Sequence, residues 1–240
     1  MIYHEDIFYP SEKDALMKLV SPIEDDVRHK AFILPHMALE YIAHLYRKAF
    51  ASIPDGTRII GLFPLHREVL ERDKGTMLFS SETRDENTPL GTVRIEALPF
   101  PSASPYEEEE YSMELLLPFI AYHNPRSVFH PLFVSVKNSE DMKKLSRILS
   151  GYDDGNTVFI ISSNMTGRLD DGIEEERNEA VNLILSSEHL MDAWMKGKLK
   201  ACGAPLAEAV TRFTGGRWKL IGISEKETKA GHAAFILEDE

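Results

Sequence analysis

The chain has 240 residues, of which 43% are hydrophobic and 28% charged, with a formal net charge of −12. That length and apolar content suit a single domain with a sizeable core, expected over 1–240 with 1–29 as an N-terminal extension packed on the rest. The acidic balance argues against nucleic acid and anionic membrane surfaces as partners, because both are bound mainly through Lys and Arg.

Ser11 to Leu19 is expected to be a short helix, with Ser11 as its N-cap and Asp14 three residues on. Ala31 to Leu34 is an apolar strand. Apolar positions from His36 to Ala51 recur at helical spacing through Met37, Tyr41, Ile42, Leu45 and Phe50. Pro54-Asp55-Gly56 is a turn, and Thr57 to Leu65 reads as a buried parallel strand, apolar on both faces. Strand, helix and strand make a βαβ unit.

Further strands are expected at Thr76 to Ser80 and Thr92 to Leu98, with a polar, turn-rich stretch from Ser81 to Pro89 between them. Pro99 to Glu110 reads as an exposed loop, and the acidic run Glu107 to Glu110 as a solvated surface. Tyr111 to Tyr122 is a helix, Val128 to Val136 a strand, Ser139 to Leu149 an amphipathic helix and Thr157 to Ser162 a buried strand. Three helical segments follow between Ile173 and Phe213. Trp218 to Ile223 and His232 to Leu237 then close the chain as an antiparallel pair. This alternation predicts an α/β fold: a three-layer α/β/α sandwich on a mixed, largely parallel central sheet.

Two apolar runs end on histidine, Ala31 to His36 and Arg58 to His66. In open α/β sheets, ligands bind in the crevice outside the carboxyl ends of the strands, so both imidazoles are candidates for metal ligation or acid/base work. Cys202, the single cysteine, is the third candidate. Two imidazoles and a thiolate suit iron, copper or zinc and disfavour magnesium or calcium. Read one by one, His36 is equally a turn residue and Cys202 a small buried hydrophobe. Glu68 is a ligand, a base or a first-turn helix acid, and Glu114 lies on a helix that can reach the crevice. His123 and His130 are expected to satisfy loop hydrogen bonds. One cysteine permits no internal disulfide, no apolar run reaches the roughly 18 residues of a bilayer span, and Met1 to Asp6 lacks the features of a signal peptide, so a cytoplasmic location is expected.

Ordered landmarks over residues 30 to 238 resemble the Memo-like family, also found as the B component of the AmmeMemoRadiSam group. They are Ile33-Leu34-Pro35-His36, Ile59 to His66, Thr88-Pro89-Leu90-Gly91, Glu110 to Phe119, Ile160 to Asn164, and Cys202-Gly203. The resemblance implies a fold similar to that of class III extradiol ring-cleaving dioxygenases, with His36, His66 and Cys202 in the place where those enzymes hold iron(II). It also implies Tyr111 and Asn164 as neighbours of that site. The family pattern has histidine at the Tyr111 position and aspartate at the Asn164 position. A histidine that follows shortly after has no counterpart, and the usual Ala-Gly after the first histidine is Met37-Ala38. These exchanges remove the obvious general base. The expectation is a metal-site protein with redox chemistry. The alternatives are a protein- or peptide-binding module without turnover and a non-haem iron dioxygenase.

Overall fold

The computed structural model describes residues 4–21, 28–65, 77–108, 110–169, 171–186, 189–224 and 229–238. Among them, nine strands form one sheet. They are β1 (Ala31–Leu34), β2 (Arg58–Pro64), β3 (Leu78–Ser80), β4 (Arg84–Thr88), β5 (Gly91–Ile95), β6 (Val128–Val134), β7 (Thr157–Ser162), β8 (Arg217–Ile223) and β9 (Ala233–Glu238). Their order is β4-β5-β6-β2-β7-β1-β9-β8, with β3 also paired to β6. The five central strands, β5, β6, β2, β7 and β1, run parallel. Antiparallel pairing is confined to β3 on β6 and to the outer β4, β9 and β8.

The helices are α1 (Lys13–Val20), α2 (Leu39–Ala51), α3 (Ser104–Glu107), α4 (Leu117–His123), α5 (Ser139–Ser150), α6 (Ile173–Ser186), α7 (Leu190–Met195) and α8 (Ala204–Thr214). Helices α1, α2 and α4 bury their apolar stripes in a core on one face of the sheet, with Leu16, Leu45, Phe50 and Phe119. Helices α5 to α8 do the same on the other face, with Leu145, Ile184, Met191 and Val210. Strand β2 feeds both cores: Ile59 and Phe63 enter the first, Ile60 and Leu62 the second. That is why its sequence is apolar at consecutive positions. The three-layer α/β sandwich is therefore present.

The structure departs from the sequence reading in several places. Strands β1 and β2 are not adjacent, because β7 lies between them. Ser11 does not cap α1. Its N–H and hydroxyl both donate to Asp6, and Glu12 caps the helix through Asp14 and Ala15 N–H. Helix α2 starts at Leu39, so His36 stands in the turn before it. The polar stretch 81–89 contains β4, whose alternating pattern was hidden by having a single buried residue, Glu86. The expected helix from Tyr111 is a 3₁₀ turn, Glu114–Leu116, followed by α4 with Pro118 in its first turn. The Glu107–Glu110 run is not uniformly a solvated surface: Glu108 is exposed, but Glu107 and Glu110 are buried. Glu107 pairs with Arg84 at 2.9 Å, and Glu110 accepts from the Ser112 hydroxyl at 2.6 Å. No described helix is long and apolar enough to cross a membrane.

Candidate functional site

The carboxyl ends of β1 and β7 lie side by side, with Leu34 opposite Ser162. Pro35 stops the ladder, and His36 follows it into the crevice that open α/β sheets leave at this edge. The turn after β7 fixes His36 twice. Asn164 Oδ1 accepts the His36 N–H at 2.9 Å, and Asn164 Nδ2 donates to the His36 carbonyl at 3.1 Å. The imidazole Nδ1 pairs with Ser162 Oγ at 2.7 Å. His36 is only 4% exposed, so its ring orientation is determined by these partners.

Cys202 approaches from the turn before α8. Its Sγ lies 3.8 Å from Ser163 Oγ, which also accepts the Gly203 N–H at 2.9 Å. Gly203 is required by space. A Cβ there would lie 2.7 Å from Ser163 Cβ and 2.8 Å from the Ser162 carbonyl oxygen. Three consecutive residues, Ser162, Ser163 and Asn164, thus position both the histidine and the cysteine.

Tyr111 closes another side. Its ring meets His36 edge-on, with centroids 5.9 Å apart and planes at 84°. Burial first, and then the charges of Glu110 and Cys202, push its phenol up to about 12, so it carries its proton at neutral pH. Glu114 is buried below it and does not point free into the crevice. It accepts from the Tyr9 hydroxyl at 2.8 Å and from the His4 N–H at 2.9 Å, and it pairs with His4 Nδ1 at 3.1 Å.

His232 was not among the candidates read from sequence. The antiparallel register of β1 and β9 sets Ile33 opposite Phe235. His232 immediately precedes β9, so the same antiparallel pairing carries it towards the end of β1 that His36 follows. His232 is buried, and burial first, followed by His36 and Arg177, pushes its imidazole down to about 4. The signal was available in the expected antiparallel closing pair, whose last strand begins at this residue. His123 and His130 take the ordinary roles expected of them, pairing with the carbonyls of Val20 and Glu96. His66 and Glu68 lie outside the described residues. Among the described residues, no group of three His, Cys, Asp or Glu is arranged to hold a metal ion.

The sequence matches the family described as Memo-like protein over residues 4–211. No curated protein matches it. Its fold is similar to that of an uncharacterized protein, JW3007, from Escherichia coli K12, with a TM-score of 0.51 and 14% identity over 88% of this chain and 100% of that one. At that identity the likeness speaks for the fold alone. The sequence landmarks, the strand-end histidine and the Cys-Gly turn belong together, and the chain is a member of the Memo-like protein family.

Proposed function

We propose that the crevice holds one transition-metal ion, iron, copper or zinc, on His36, Cys202 and His66, and that its chemistry is redox in character. The observation that carries the reading is the convergence of His36 and Cys202 on one strand end, each tied to adjacent residues of the same turn. The donor set fits such an ion. The Nδ1 contact to Ser162 fixes the His36 ring in the way that ligating imidazoles are held by a neighbouring group. Soft sulfur with imidazole selects the later first-row metals. An ion with three protein ligands keeps a position for water or substrate and supplies Lewis-acid or electron-transfer chemistry there. Asn164 holds the His36 backbone, and Tyr111 covers the ring from the side.

Elemental analysis of protein purified without a metal-affinity tag tests this. Stoichiometric metal that falls at least tenfold in Cys202→Ser supports it. Absence of metal, with titrated iron, copper and zinc binding identical in both proteins, refutes it.

One observation favours a second reading, a binding module for a protein or peptide partner that works without turnover. Tyr111 and Asn164 stand where the family pattern has histidine and aspartate, and Asn164 is taken up in both directions by the His36 backbone. Ring cleavage of a catechol with iron(II) and oxygen, abolished by His66→Ala, would exclude that reading and favour the dioxygenase.

A further inference from the structure

Tyr111 is the hub of the crevice, and two of its neighbours come from the N-terminal segment. The Phe8 ring lies flat on it, with centroids 4.1 Å apart and planes at 5°. The His4 ring leans on it at 5.9 Å and also meets Phe8 edge-on at 5.6 Å. His36 contacts the same tyrosine, and Cys202 sits against Ser163, the neighbour of the Ser162 that holds the His36 ring.

The segment carrying His4 and Phe8 is tied at both ends. At one end, buried Glu114 gathers the His4 N–H and His4 Nδ1, and it also takes the Tyr9 hydroxyl from the opposite end. At the other, the Phe8 carbonyl accepts from the N–H of Leu39, the first residue of α2 and three positions past His36, at 2.7 Å. Between them the chain turns tightly at Asp6, whose φ of 62° lies in the left-handed region. Asp6 tolerates that conformation because its carboxylate accepts from the Ser11 N–H and hydroxyl, both at 2.8 Å. The outer side faces solvent, with Ile7 67% exposed. The inward contacts are an aromatic stack, a carboxylate hub, the Phe8 carbonyl bond to Leu39 and the buried Tyr9 ring, and loosening the stack leaves the strands of the sheet untouched.

We infer that residues 4–9 form a wall of the crevice, in which Phe8 and His4 hold Tyr111 against His36 and thereby set what reaches Cys202. Both are positioning residues, acting through Tyr111. The inference is independent of which ion or ligand the crevice takes.

Cys202 is the single cysteine, so its alkylation reports directly on this wall. The experiment measures the second-order rate of iodoacetamide reaction on the full chain, freed of metal with a chelator, at fixed pH. Phe8→Ala is expected to raise the rate roughly three- to tenfold, the factor that an aromatic stack of ordinary strength sets on an opening equilibrium. Phe8→Leu, which keeps apolar bulk without the ring, should fall between, and His4→Ala should move the rate the same way by less. Ile7→Ala should leave it unchanged. Leu149→Ala, in the core on the opposite face of the sheet, supplies a globally destabilised reference and should also leave it unchanged. If Phe8→Ala does not fold, Phe8→Leu and His4→Ala carry the test. Wild-type rates in the Phe8 and His4 variants, or rates that follow thermal stability through Leu149→Ala, would overturn the inference.

Discussion

The two ends of the parallel strands carry similar polar residues put to different uses. At the amino-terminal end, Asp55 accepts from the N–H of Gly56 and from the N–H and Nε of Arg126, while Asp154 binds Arg58 at 2.7 Å and accepts from the Thr157 hydroxyl and the Asn156 N–H. Each of these side chains closes a turn and is spent in doing so. At the carboxyl-terminal end, Ser162, Ser163 and Asn164 also close a turn, but their partners are an imidazole ring, a thiol and the backbone beside them. One edge uses polar groups to finish the fold. The other uses them to aim residues with chemistry of their own. The comparison holds only if changes at the second edge reach His36 and Cys202 while changes at the first stay local.

The largest contrast lies in two glycines. Gly203→Ala places a methyl against the Ser163 side chain and the Ser162 carbonyl, neither of which can retreat without moving His36 or Cys202. A loss of about 3 kcal/mol in urea unfolding is expected, together with altered Cys202 reactivity. Gly56→Ala, at φ +83° with open space around it, should cost about 1 kcal/mol from backbone conformation alone and leave Cys202 unaffected. Equal losses in the two variants would dissolve the distinction between the edges.

Acid titration gives the next contrast. His232 is held in its neutral form, its folded value of about 4 lying below the 6.5 of an ordinary imidazole. Between those values the unfolded chain binds the extra proton, so stability is complete above pH 6.5 and falls as the pH drops towards 4. The loss reaches roughly 3 kcal/mol by pH 4 in metal-free protein. Burial also lowers His123 and His130, so they contribute with the same sign. His232→Gln should flatten the profile measured by urea unfolding at successive pH values. A variant with the slope of the wild type would show that this histidine does not carry the effect.

The sequence made the layers, the central strands and the placement of His36 just past a strand end readable, because apolar runs on both faces and helical stripes are local patterns. Strand order was less accessible. That β7 separates β1 from β2 depends on which crossover helix covers which face, and neighbouring residues do not record this. Glu107 and Glu110 looked solvent-facing because burying a carboxylate depends on partners such as Arg84 that are remote in sequence. His232 and His4 were missed for a related reason: each is a lone histidine near a chain end, and only the antiparallel closure of β9 and the return of residues 4–9 over Tyr111 bring them to the crevice. Cys202 was found by being single and by its place in a family landmark, not by any spacing to His36.

The smallest effect tests the amino-terminal edge from the other direction. Arg126 and Asp55 make a short ion pair of 2.6 Å, but the arginine side chain is 79% exposed. Burial raises the Asp55 carboxyl, and the bonds from Arg126 and Gly56 outweigh it, holding the group below its usual range. Much of that hold comes from backbone N–H groups, which Arg126→Ala leaves in place. Arg126→Ala is therefore expected to change stability very little, and Asp55→Ala to cost about 1 to 2 kcal/mol, since it strips the Arg126 N–H of its acceptor and leaves the Gly56 N–H to Ser127 Oγ alone. The double-mutant cycle should return a small coupling that shrinks in 1 M salt, where the Debye length is about 3 Å. A large coupling that survives salt would place a strong, desolvated charge pair at this edge. The two ends of the sheet would then no longer differ in the way that singles out the His36 and Cys202 end as the candidate site.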